Sequence, residues 1–313
     1  MNHLFIAALL LAFVLPGLAV AQLKIVESEK TIIISNGETD LLTYHKAMVE
    51  PPAGVSPLYK RSGFIHPLRA PNGGVVTGIH PKDHAHHLGL WHAWVKTEHK
   101  GRAIDFWNLK KSEGTVRYAR TEEIRDEKKS VGFTVVQEHV ILPDEVILEE
   151  GFLIDVRLGP DGKVFLIDHT TAQKNVSDAA LELPAYRYGG PLAYRAPHHW
   201  DKDNSSLLTS EGKTRKDGHA TRAKWCSFSG PTDQGRVSIS LMCHPENHDA
   251  PQRQRIWPES SHNGAIFYNW VPAQEHDFDI KPGAVSTMRY RIVLSNGTAD
   301  KASVDGWWKA FGK

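Results

Sequence analysis

The sequence predicts an all-β chain of antiparallel sheets closed by one short helix, and three observations carry that prediction. Short β-branched and aromatic runs alternate along the chain with Gly, Pro, Asn and Asp, and no long stretch has a helical period. Two of the breaks read as tight antiparallel connections: Asn36-Gly37, a type I′ hairpin signal between TIII and LLTY, and Gly159-Pro160-Asp161-Gly162 between GFLIDVRL and KVFLIDHT. Two segments alternate with period two. Val237, Ile239, Leu241 and Cys243 oppose Ser238 and Ser240, while Met288, Tyr290 and Ile292 oppose Thr287, Arg289 and Arg291, so each segment is expected to bury one face and show a polar one.

The remaining elements follow in chain order. Residues 1–21 have an apolar core from Leu4 to Leu15, a break at Pro16-Gly17 and the small-residue pattern Ala19-Val20-Ala21, which predicts a signal peptide cleaved near Ala21 and a periplasmic or secreted mature protein. No later stretch approaches the roughly 20 apolar residues of a membrane helix, so an integral membrane protein is not expected. Residues 22–313 contain no linker, low-complexity tract or repeat, and read as a single β-sandwich domain. The tail from about Ala299 to Phe311 reads as the helix, with Thr298 as its N-cap and Trp307, Trp308 and Phe311 as contacts that pack it outside the sheets. The 37 Lys and Arg nearly balance 36 Asp and Glu, without basic runs interleaved with aromatics, which excludes a nucleic-acid surface. Cys226 and Cys243 are too few for a disulfide framework and are expected as small core residues, although an exported chain would permit one bond.

Histidine supplies the densest chemical signal. Of 18 His, five fall within thirteen positions of HPKDHAHHLGLWHAW: His80, His84, His86, His87 and His92, where a loop feeds a strand. Either His86, His87 or His92 is a candidate catalytic acid or base, with Asp168 or His244 as its partner. A metal reading takes His84 and His86 on one side of an extended backbone, joined by His92 or Asp83. The sequence requires no cofactor, and a divalent metal stays open beside metal-free acid/base chemistry. In the Asp168-His169 pair, strand neighbours point to opposite faces, so at most one of the two is expected to face a pocket.

Two further groups suit a carbohydrate ligand, because aromatic rings stack on sugar faces while Arg and His bond the hydroxyls. One is Tyr186, Tyr188, Gly189, Gly190, Tyr194 and Arg195 with His198, His199 and Trp200; the other is His244, Asn247, His248, Arg253, Arg255 and Trp257. Arg69 and Arg195 are expected to hold the substrate, with His84, Asn247 and Trp257 beside them. A non-catalytic binding module would instead expose Trp200 and Trp257 along an open groove.

Three stretches together resemble a PmoA-like family of unknown function: HPLRAPNGGVVTGIHPKDHAHHLGLWHAW (66–94), EGKTRKDGHATRAKWCSFSG (211–230) and HPENHDAPQRQRIWP (244–258). The methane oxygenase subunit implied by that name would be membrane-embedded, which this sequence does not fit. HHLGLW, IDHTT and IKPGAVSTMRYRIVL, in that order, are also similar to the elements of galactose mutarotases. This second resemblance implies a β-supersandwich and a sugar site. It also places Asn269, as a substrate-binding residue, where mutarotases carry a glutamate base, and an amide takes no proton. The expected function is therefore action on a glycoside or modified sugar by hydrolysis, elimination or isomerisation, with plain carbohydrate binding or a metal-dependent lyase or hydrolase as the alternatives.

Overall fold

The computed structural model describes residues 22–313, so the expected signal peptide of residues 1–21 lies outside the described residues. Among the described residues, twenty strands form two eight-stranded sheets and one four-stranded sheet, and every strand pair is antiparallel. From edge to edge, the first sheet runs β1 (Leu23–Glu27), β2 (Thr31–Asn36), β3 (Thr39–His45), β4 (Phe64–Leu68), β5 (Leu90–Ala93), β13 (Gly190–Arg195), β18 (Phe267–Val271) and β17 (Arg253–Ile256). The second runs β14 (Ser206–Thr209), β15 (Trp225–Thr232), β16 (Gly235–Cys243), β20 (Val285–Asn296), β11 (Val164–Asn175), β10 (Glu145–Leu158), β9 (Ser130–Ile141) and β8 (Gly114–Asp126). The small sheet orders β19 (Phe278–Ile280), β12 (Leu181–Leu183), β6 (Thr97–His99) and β7 (Arg102–Ile104).

The two large sheets pack face to face. Tyr44 of the first lies 5.2 Å from Phe133 and 5.6 Å from Phe152 of the second, ring centre to ring centre, and Tyr194 lies 5.2 Å from Phe228. One continuous cluster of buried apolar side chains runs from Leu23 to Leu294 through both sheets. The class expected from the sequence, an all-β antiparallel supersandwich with a short C-terminal helix, is the class observed.

Three details differ from expectation. The hairpin between β2 and β3 closes one residue later: Asn36 pairs with Thr39, leaving Gly37 and Glu38 as the turn, and only Gly37 has a positive φ, whereas type I′ requires two. The polar side of β16 is covered as well, with Ser238 and Ser240 fully buried, because α1 (Lys301–Phe311) and its approach pack over that side of the sheet. Val304 of the helix joins Trp225, Met242 and Val293, and Ser238 is held between the Gly297 carbonyl and the Ala299 amide. The helix N-cap is Asp300 rather than Thr298, since the Asp300 carboxylate accepts from the Ser303 amide at 2.9 Å. Both cysteines are free and buried. No helix among the described residues is long and apolar enough to cross a membrane.

Candidate active site

The site forms on the face of the first sheet turned away from the second. Tyr194 and Tyr268 are register partners and both touch Phe228 of the second sheet, so alternation turns Arg195, Phe267, Asn269 and Arg255 to the opposite face. Loops roof that face and enclose a cavity of about 270 Å³. His84, His86, His87, Trp107, Tyr188, Arg187, Arg255, Trp257 and His262 are the lining residues that matter below.

The histidine loop is folded by its own backbone. The His80 amide donates to the His87 carbonyl, the His87 amide to the His84 carbonyl, and the Gly89 amide to the Gly78 carbonyl. Gly89 has φ 69°, and a Cβ there would stand 2.3 Å from the Ile65 carbonyl oxygen, so no other residue fits. The loop sets three imidazoles together, with ring centres of His84, His86 and His87 4.8 to 5.5 Å apart. His87 is stacked on Phe267 at 4.7 Å, and burial pushes its pKa well below the ordinary value, followed by repulsion from His86. Burial first, then His84, brings His86 down to about 4. Both rings are therefore neutral proton acceptors at neutral pH.

A further part of the lining, the wall around Tyr188, is cationic and aromatic. Burial lowers the pKa of Arg255, and Arg187 adds repulsion. Among the described residues neither guanidinium has a carboxylate within ion-pair distance; Arg255 instead donates to His219 at 3.0 Å and Arg187 lies over the Tyr188 ring. Asn269 positions this wall: its Oδ1 accepts from the Gly189 amide at 2.7 Å and its Nδ2 donates to the Leu192 carbonyl, fixing the turn after Arg187 and Tyr188. Asp105 organises the Trp107 side by accepting from the amides of Trp107 and Asn108. Arg215 is buried beneath the remaining loop, where its guanidinium donates to the carbonyls of Trp257, Gly264 and Ala265 at 3.0, 2.6 and 2.9 Å. It thereby fixes both Trp257 and His262, whose rings stack at 3.8 Å.

The structure gathers only some of the expected residues. His84, His86, His87 and Trp257 line the cavity, and Arg195 lies behind Trp257 at 5.1 Å with two buried N–H groups unpaired. The others fall elsewhere for identifiable reasons. His92 is fully buried between the sheets, bonded to Glu150, which also holds His139. Asp168 forms ion pairs with Arg291 and Arg157 on the side of the second sheet nearest α1, and His169, its neighbour, faces Phe152 in the core. His244 lies under Phe311, Asn247 bonds the backbone of Arg289, and Arg69 donates to the Gly73 carbonyl within its own turn. Asn269 supports the site from beneath and does not line the cavity. Trp200 is fully buried and donates to the Pro231 carbonyl, so it does not face an open groove. Of the expected metal set, His92 is separated from His84; Asp83 remains beside His84, and His262 joins them.

Tyr188 and Arg255 belong to the two segments suited to a sugar, without an individual role expected of either. Arg187, Trp107 and His262 are additions from the structure: Arg187 stands between Tyr186 and Tyr188, and His262 has no local signal.

Comparisons with known proteins give one family and several distant structural likenesses. A galactose mutarotase-like protein from Lactobacillus casei is similar over 87% of this chain and 99% of its own, at 11% identity and TM-score 0.40. A second such protein, from Clostridium acetobutylicum, is similar over 88% and 99%, at 9% identity and TM-score 0.41. A heparan sulfate lyase HepC mutant from Pedobacter heparinus covers 89% of this chain, which spans 37% of that enzyme, at 8% identity and TM-score 0.42. No curated protein matches the sequence. The pattern of one family matches residues 31–309, and the chain belongs to that family of unknown function, DUF6807.

Proposed function

We propose that the protein is a carbohydrate-active enzyme whose cavity binds an acidic sugar and moves a proton with a neutral histidine. The single observation that carries this reading is the make-up of one cavity: Arg187 and Arg255, two guanidiniums without carboxylate partners among the described residues, line it together with Trp107, Tyr188 and Trp257 and with neutral His86 and His87. The aromatic rings suit the apolar face of a pyranose, and the guanidiniums suit a carboxylate or sulfate on it. A proton acceptor beside a charge-neutralised carboxylate favours elimination or isomerisation, since electrostatic stabilisation of a developing anion is the larger part of such catalysis. A shallower groove sharing Arg187 continues past Tyr186, His219 and Arg253, which suits a chain longer than one sugar.

The proposal includes export, supported by the leader-like segment of residues 1–21, and is checked there by N-terminal sequencing of the mature protein. The function is tested by incubating the protein with uronate-containing and neutral oligosaccharides and following products by NMR. The expected result is conversion of an acidic sugar only, reduced at least a hundredfold in His86→Gln or His87→Gln. Tight binding without turnover, unchanged in both variants, would make the protein a binding module instead.

A further inference from the structure

Beyond the sugar cavity itself, we infer that Asp83, His84 and His262 form a binding site for one divalent transition-metal ion at the mouth of that cavity. The three residues come from two loops far apart in sequence, and one ligand atom from each lies within 4.8 Å of the other two. His84 Nδ1 stands 3.0 Å and His262 Nδ1 3.3 Å from the same carboxylate oxygen, Oδ2 of Asp83. Ligands bound at about 2.0 to 2.2 Å and separated by 90 to 110° around one ion lie roughly 2.8 to 3.6 Å apart, which covers both distances to the Asp83 oxygen. His84 Nδ1 approaches the carboxylate to 3.0 Å without the alignment of a full hydrogen bond, which leaves its lone pair open to an ion.

The other His and carboxylate cluster behaves differently and sharpens the contrast. His92, His139 and Glu150 are fully buried, and each imidazole bonds its own carboxylate oxygen at 2.8 Å, so both carboxylate oxygens are occupied and only His139 Nδ1 is left unpaired. Asp83, His84 and His262 instead remain partly exposed, and both histidines line the cavity. Two imidazoles and one carboxylate suit Zn²⁺, Mn²⁺, Co²⁺ or Fe²⁺ rather than Ca²⁺ or Mg²⁺. Three protein ligands leave coordination positions open, which is the pattern of sites that bind a substrate oxygen. Support around the ligands is in place, because Trp257 stacks on His262 and Arg215 fixes its loop.

Ion binding is read without any sugar, so it stands or falls separately from the proposed activity. The untagged protein, stripped with chelator, is titrated with Co²⁺ alone and followed by visible absorption and calorimetry, next to Asp83→Asn, His262→Gln and His92→Gln variants whose folding is checked by circular dichroism. The expected result is one saturable equivalent with a visible d–d band, weakened at least a hundredfold by Asp83→Asn and by His262→Gln and unchanged in any His92→Gln protein that folds. No saturable binding by the wild type, or binding that survives both loop variants, would overturn the inference.

Discussion

Arg215→Ala tests whether one buried guanidinium holds the loop that carries Trp257 and His262. Three carbonyls lose donors at 3.0 Å or less, and a fourth, that of Pro258, loses one at 3.3 Å. A hydrogen bond from a charged donor contributes roughly 1.5 to 3 kcal/mol, so three of them give at least about 4.5 kcal/mol. Release of the guanidinium from burial, which lowers its pKa in the folded protein, returns part of this. The expected loss is about 3 kcal/mol, which for a chain of this size lowers Tm by roughly 5 °C. Urea unfolding followed by tryptophan fluorescence measures it. Arg215→Lys is expected to recover less than half, because an ammonium cannot reproduce the planar fork. Arg120→Ala, which removes exposed ion pairs with Glu122 and Glu149, is the control and is expected to change stability by no more than about 1 kcal/mol. A loss below about 1 kcal/mol for Arg215→Ala would refute the assignment of loop support to this residue.

Three other outcomes follow from the same contacts. Gly89→Ala is expected to destabilise by about 3 kcal/mol or more, since its Cβ meets the Ile65 carbonyl at 2.3 Å and its φ is positive; a variant of wild-type Tm would contradict this. Burial brings the pKa of His169 in the folded protein down to about 4 from an ordinary 6.5, so its contribution is complete above pH 6.5 and is lost as the pH falls toward 4. That loss is about 3 kcal/mol by pH 4, and His169→Gln is expected to flatten the stability curve over that window, measured by chemical denaturation at each pH. Asp168→Asn is expected to lower stability by about 1 to 2 kcal/mol through its pairs with Arg291 and Arg157, while turnover and ligand affinity stay within twofold of wild type. A hundredfold drop in turnover would return Asp168 to the catalytic set.

Local signals in the sequence identified what local chemistry determines. The Gly159 to Gly162 connection and the terminal helix depend on residues close in the chain and appear where expected, and the alternation in β20 holds through Tyr290, beyond which Arg291 on the polar side is buried against α1. The hairpin at Gly37 and the cap at Asp300 moved by one or two residues, because strand pairing and a carboxylate closer to the first turn decided them. Histidine density led correctly to the loop of His84, His86 and His87 as a place where groups converge. It did not separate His92, because the chain turns into β5 at Leu90 and strand alternation sends that ring between the sheets. His262 and Arg187 join the cavity only through the order of strands β5, β13, β18 and β17, a tertiary fact that no spacing along the chain encodes. Asp168 and His244 look catalytic by type alone, and packing beside α1 gives both a structural role.

The most direct test of the central claim is a calorimetric titration of the wild-type protein and of an Arg187→Ala, Arg255→Ala double variant with a uronate disaccharide and its neutral counterpart. The expected result is saturable binding of the uronate by the wild type alone, at least a hundredfold tighter than the neutral sugar. Equal affinity for both sugars, or undiminished uronate binding by the double variant, would contradict the claim that these two guanidiniums make the cavity an acidic-sugar site.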